Sequence, residues 1–414
     1  RLVNVTVVGN NPGGIWCSYD SDPIIENSNI TDNIGAGICC TYSSSPSLYY
    51  VTISGNSGGG ITCSNNSNII LENVKICDNS VWGGIYSDGS TPTLTNVTII
   101  GNSTDECGGG ISLGGGGVVT LRNVKIIGNT SGYDGGGIYA AYGDQVVMLI
   151  NVLVANNYAW NSGGGINIID VPFFMAENVT VCDNSTDGLG GGIMCQLESD
   201  AVIKNSIVWN NSGGEIVEYW TGGDAVAVYY SDVRGGWSGP GSHNINSDPL
   251  FSDDDYRLSE DSPCIDTGSA DTTGLHLPPW DLDGNVRIWD GNGDGVAVID
   301  MGVYEYGAPV YSVNEPEIPE QSTIHNYPNP FTTSTTISFY RTPNIHEEAQ
   351  IEIYNLKGQK IKTLTDNQIM KGGNHEIMWD GTNSRNKRVG SGIYFIKLRT
   401  EKSINVKKIV KFGL

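Results

Sequence analysis

Basic residues are scarce in this chain: 22 Lys and Arg stand against 45 Asp and Glu, a formal net charge of −23. The scarcity is local. Residues 1–324 hold 8 Lys/Arg against 38 Asp/Glu, a net of −30, whereas residues 325–414 hold 14 against 7, a net of +7. A surface as acidic as the first part repels a phosphate backbone, which excludes nucleic acid as its partner. Histidine is nearly missing too, with His243 the only one before residue 270. That removes Ser/His and His-Glu-x-x-His chemistry. No apolar run approaches the ~18 residues that a membrane-spanning helix needs. No secretory signal opens the chain, and Arg1 stands three residues before a full repeat. This reads as a sequence that starts inside a repeat, with an export signal and upstream coils elsewhere or an uncapped first coil.

What the chain has in abundance is glycine, 56 residues, and a repeat. An Asn-aliphatic heptad begins at 4, 27, 50, 73, 96, 123, 151, 178, 205 and 230, with Tyr50 and Tyr230 as variant starts. The intervals are 23 four times, then 27, 28, 27, 27 and 25. A period in this range built from strands and glycine turns means a solenoid. In most heptads the second and fourth residues are apolar and the third mostly polar, as in Val5/Thr6/Val7 and Val97/Thr98/Ile99. That is the alternation of a strand with one face buried. A corner Ile follows at one fixed phase: Ile15, Ile38, Ile61, Ile85, Ile111, Ile138, Ile166, Ile193 and Ile216. Nine identical residues at one phase predict an inward ladder, one per coil, at about 4.8 Å spacing. The first nine heptads end in Asn, from Asn10 to Asn211, predicting a second ladder of stacked amides and left-handed backbone at those Asn. The expected fold is all-β: a right-handed parallel β-helix of about ten coils over 1–247, followed by a small C-terminal β-sandwich. The repeat-phase cysteines Cys17, Cys40, Cys63 and Cys195, with Cys77 and Cys182, read as small packing residues. Cys107 and Cys264 stand outside those columns.

These repeats resemble the pectate-lyase-like β-helix superfamily, and in particular the Gly-Gly-aliphatic plus Asn repeats of chlamydial polymorphic outer-membrane proteins. The superfamily hosts lyases, hydrolases, adhesins and inert stalks, so the resemblance speaks to fold rather than activity. Residues 248–309 carry Asp248-Pro-Leu-Phe, Asp255-Tyr-Arg-Leu, Ser262-Pro-Cys-Ile-Asp-Thr-Gly, Asp281-Leu-Asp-Gly-Asn-Val-Arg and Asp300-Met-Gly-Val-Tyr-Glu-Tyr-Gly. In that order they resemble the tail of bacterial "choice-of-anchor" β-helix proteins, and are expected to close the C-terminal end of the helix. Residues 310–324 read as a stiff acidic linker. Residues 325–414 contain Tyr327-Pro-Asn-Pro-Phe331, Trp379-Asp-Gly381 and Gly390-Ser-Gly-Ile-Tyr-Phe395. These closely resemble the sorting domain of type IX secretion substrates in the Bacteroidetes group. The resemblance implies handling by that machinery and an extracellular or cell-surface location.

Chemistry is sought where the repeat lengthens. Five positions separate the ladder Asn from the corner Ile in coils one to three and nine, six in coil four, and nine in coils five to eight. Four consecutive insertions at one corner predict a ridge. It carries Asp105, Glu106, Tyr133, Asp134, Tyr158, Trp160 and Asp187, aromatics beside carboxylates, a combination suited to glycan binding. Trp16, Tyr86 and Tyr139, each one residue after a corner Ile, offer a second platform. The alternative for both sets is shielding of coil edges. Glu106 and Asp134 on neighbouring coils could meet the carboxylate spacing of a glycosidase. A lyase base is missing from the ridge. Asp290, Asn292 and Asp294 sit at calcium-loop spacing with Gly295 at position six, and Asp300 falls one short of the position-twelve acid. Tight-turn use of the same residues is the alternative. Three classes stay open: a non-catalytic glycan-binding adhesin, a polysaccharide lyase or glycoside hydrolase, and a self-associating structural subunit of an extracellular assembly.

Overall fold

The computed structural model describes residues 1–220, 226–310, 325–327, 331–341, 348–355, 357, 359–369, 373–399 and 404–411. The linker expected at 310–324 lies, but for Val310, outside these. The chain divides into two compact units, Arg1–Tyr311 and Ser312–Leu414.

The first unit is a parallel β-helix, with no α-helix among its described residues. One face is a nine-stranded sheet running from Ile15–Ser18 to Ile216–Tyr219, every neighbour parallel. The corner isoleucines pair in unbroken register, Ile15 with Ile38 and onward to Ile193 with Ile216. The seven inner ones are fully buried, while Ile15 and Ile216 at the two ends are half-buried. The tenth repeat adds Asp232–Val233 to the heptad face but no strand to the isoleucine face, so nine turns are complete.

The amide ladder runs beside it. Each ladder Asn donates through Nδ2 to the Oδ1 of the next, from Asn10–Asn33 at 2.9 Å to Asn184–Asn211 at 2.9 Å. The same Oδ1 accepts the neighbour's backbone N–H, as in Asn102 to Asn129 at 2.9 Å. Glu215 ends the ladder, its carboxylate taking the Asn211 amide at 2.6 Å. The ladder Asn themselves are not left-handed, contrary to the sequence expectation. Positive φ falls on the residue before each, such as Gly9, Asp32, Gly55 and Asn156, and on the heptad's first residue, such as Asn4 and Asn73. The ladder side chain must point inward, so the reversal of direction is taken by its exposed predecessor.

Residues 248–309 do not close the end of the helix. Trp237, past the last repeat, packs on the core with its indole N–H on the Pro240 carbonyl. The 248–309 segment lies instead along the flank of coils five to nine. Its Tyr256, Leu258, Ile265, Met301 and Val303 form a second core with Leu153, Ala155, Cys182 and Ile207, the outward side chains of the heptad strands. Gly302, at φ +93°, presses on Thr180 and Ile207, where a Cβ would stand 2.8 Å from the Thr180 hydroxyl. Buried Arg287 joins Glu305 at 2.9 Å and Asn151 of the helix. The cause is an outward column that turns apolar: Leu153 and Ile207 stand where Thr6, Thr52 and Thr98 stand earlier, and apolar surface left in water must be covered.

The second unit has a three-stranded antiparallel sheet (His325–Tyr327, Thr335–Arg341, Gly373–Trp379) and a four-stranded one (Lys360–Ile369, Glu348–Asn355, Gly392–Arg399, Ile404–Lys411). Phe331, Ile337, Ile353, Trp379, Ile396 and Ile409 fill the core between them. All nine cysteines are free thiols, seven of them buried.

Candidate functional site

The four insertions build a sheet of their own. Ser103–Thr104, Thr130–Ser131, Tyr158–Ala159 and Ser185–Thr186 pair in parallel, and bridges at Asp134, Ser162 and Leu189 extend the contact. A local device repeats in three of the coils. The inward hydroxyl of Thr104, Ser131 or Thr186 accepts the backbone N–H two residues on, at 3.1, 3.3 and 3.2 Å. Such hydroxyl turns reverse the chain within a few residues. The triple glycine that returns the chain to the isoleucine has no room for side chains. A Cβ at Gly136 would meet the Gly164 carbonyl at 2.4 Å.

The turns place the predicted residues in different environments. Tyr133 is 48% and Trp160 57% exposed on the crest, and Asp105, Glu106 and Asp187 are exposed beside them. Tyr158 is half-buried, and partial desolvation with a hydrogen bond to Asp187 raises its phenol above the ordinary range. Asp134 does not belong to the presented set. It is 5% exposed, and its carboxylate accepts Asn161 at 2.8 Å and Ser162 at 2.6 Å. Asn167 and Gln196 extend this network behind it. Asp134 therefore ties adjacent ridge coils together, and the Glu106/Asp134 pair does not present two free carboxylates.

Beneath the ridge lies a groove of about 350 Å³. Trp82, supplied by the six-residue corner of coil four, makes its end wall and pairs with Thr104 of the ridge. Glu106 and Cys107 form the ridge-side wall, and Tyr86 and Tyr139 rise from the isoleucine face. Of the second platform, Trp16 is exposed and distant in coil one, while Tyr86 and Tyr139 are half-buried here. Trp82 and Tyr142 were missed from sequence. The signal available was the odd six-residue interval of coil four, which inserts Val81-Trp82 at the ridge's end.

The calcium-spaced acids are divided. Asp290 accepts the backbone N–H of Gly293, Asp294 and Gly295, and Asn292 and Asp294 each cap a turn two residues on. Asp300 is not with them. It is buried, its carboxylate on the Asp266 and Tyr306 backbone N–H groups, and burial lifts its pKa to about 7.

The family model for the right handed beta helix region matches residues 1–123 and 109–233, and that for the secretion system C-terminal sorting domain matches 325–412. No curated protein matches the chain. Among solved structures, dimeric latent PorU from Porphyromonas gingivalis is 22% identical over 22% of this chain and 9% of that chain, with a TM-score of 0.20. PorZ, a bacterial surface component of the type IX secretion system of Porphyromonas gingivalis, is 16% identical over 31% of this chain and 15% of that chain, with a TM-score of 0.17. The chain spans less than a sixth of the length of either.

Proposed function

This chain belongs to the right-handed β-helix family and carries a secretion sorting domain, and from that premise we propose a surface-displayed binding protein that holds a glycan along its ridge without turnover. Its route is set by the sorting domain: it is secreted by the type IX system of a Bacteroidetes-type bacterium and acts at the cell surface. Adhesion is the consequence of such display.

The observation that carries the glycan reading is the ridge sheet, with Tyr133 and Trp160 exposed on its crest and Asp105 and Asp187 beside them. Flat rings cover the apolar face of a pyranose, and carboxylates accept its hydroxyl protons. Coil spacing of about 4.8 Å lets successive coils contact successive units of an extended polymer. Turnover needs a second free carboxylate or a base, and the occupied Asp134 removes the nearest candidate. Calcium enters the same reading as a structural ion at Asp290, Asn292 and Asp294, with Asp300 acting in the fold instead.

A glycan array combined with a product-release assay tests the proposal. Saturable binding without released product is expected, and Trp160→Ala should weaken it by roughly 1–3 kcal/mol. Cutting the four corners to the five-residue form should leave the helix folded and abolish binding. Undiminished binding by that trimmed protein would show the ridge to be edge protection.

A further inference from the structure

The groove beneath the ridge differs chemically from the crest. Its floor is a gap in a column. Ser112 pairs in register with Tyr86 on one side and Tyr139 on the other, so the two phenols flank a small residue. Gly114, two residues on, extends the gap outward. The two tyrosine positions are two strand spacings apart, about 9.6 Å. A guest seated over Ser112 is therefore one strand spacing along the helix from each tyrosine position, a separation compatible with the ~6 Å reach of a cation–π contact. Trp82 packs on Tyr86 with ring centroids 4.9 Å apart at 55°, turning a third ring toward the same space. Exposed Tyr142 stands at the rim.

The charges point the same way. Asp88 and Glu106 line the groove, and neither makes an ion pair or side-chain hydrogen bond among the described residues. No Lys, Arg or His lines it. Burial and then Asp88 raise the Tyr86 phenol, and burial raises the Cys107 thiol with Asp134 and Glu106 adding to it. Burial resists charge of either sign; the preference for a positive guest comes from the Asp88 and Glu106 carboxylates that line the groove.

We propose that this groove is a binding site for a small organic cation, a methylated or quaternary ammonium group, caged by Trp82, Tyr86 and Tyr139 and neutralised by Asp88 and Glu106. A neutral sugar gains from the rings and can donate hydroxyl protons to the carboxylates, but brings no charge to pair with theirs. A strongly hydrated metal ion gains nothing from three aromatic faces. A methylated ammonium uses both, because its charge is spread over apolar methyl groups. The volume suits one such headgroup, at the lower end of small-molecule sites. The site stands independently of the crest, sharing only the ridge that carries Glu106.

Isothermal titration of the full chain with choline and with its uncharged isostere 3,3-dimethyl-1-butanol tests this. Choline should bind at least about tenfold more tightly than the isostere, since only the charge differs. Glu106→Gln should weaken choline a few fold, and Tyr86→Leu roughly five- to thirtyfold with glycan binding at the crest unchanged. Trp82→Leu, at an exposed wall, provides the same readout should Tyr86→Leu misfold. Equal affinity for the two probes, absence of choline binding, or choline binding indifferent to both aromatic substitutions would overturn the proposal.

Discussion

Coils one to three and coils five to eight share one inward pattern and differ in corner length and in much of their outward surface. Both stack the corner isoleucine and the ladder asparagine. The early coils turn in five residues and present Thr6, Asn29 and Thr52 to solvent. The later ones turn in nine, add a short four-stranded sheet, and bury Leu153 and Thr180 beneath the flanking segment. The difference teaches that a solenoid separates its duties. The isoleucine and asparagine ladders answer to their own copies in neighbouring coils and recur unchanged, whereas corner length and outward positions vary freely and carry whatever the protein presents.

The comparison breaks most severely at the shared pattern. Asn129 accepts both donors of Asn102, at 2.9 and 3.0 Å, and itself donates to the Ile99 carbonyl and to Asn157. Asn129→Ala should cost about 3 kcal/mol or more in urea denaturation, because several buried groups lose partners together. Asn10→Ala, at the exposed end, should cost under ~1 kcal/mol. Next in size is the flank. Ile207→Ala should cost about 2–4 kcal/mol and Thr52→Ala at the same repeat phase within ~0.5 kcal/mol. Equal effects would mean that the flanking segment contributes no stability.

Within the ridge, Asp134→Ala should destabilise by about 1–3 kcal/mol, leaving Asn161 and Ser162 without their acceptor. Asp187→Ala should leave the melting curve unmoved and weaken glycan binding. Acidity separates the two regions further. Burial raises the pKa of Asp300 to about 7 and that of Asp232 to about 6, against an unfolded value near 3.9. A carboxylate raised in this way stabilises the fold fully below the unfolded value and loses that contribution as pH rises through 6 and 7. The melting temperature should thus fall between pH 5 and pH 8, and Asp300→Asn should flatten that slope. The smallest effect is expected from calcium: adding the ion should raise the melting temperature by a few degrees through Asp290, Asn292 and Asp294, and chelator should reverse it.

The ladders were legible because each inward residue faces a copy of itself one period away. Their periodicity in sequence is their contact in space. The ridge was legible as four equal insertions. Its groove was not, because Tyr86, Ser112 and Tyr139 form a slot only once three coils stand in register and coil four's odd corner brings Trp82 to the end. Asp134 looked like its acidic neighbours, and only the Asn161 and Ser162 contacts across a coil distinguish it. The flanking segment was recognisable by its phrases and misplaced in space. Its Asp281, Asp300 and Gly302 are struts against backbone N–H groups and against Thr180.

By itself the sequence determined a β-helix of near-constant period, the lengthened corners and the sorting domain, since each depends on local pattern or on a repeat meeting its own image. Tertiary structure alone decided that 248–309 lies on the flank, that Asp134 is spent on the ridge, and that the aromatics beneath it enclose a groove. Those depend on contacts between residues of unlike phase, which the period of the chain does not specify.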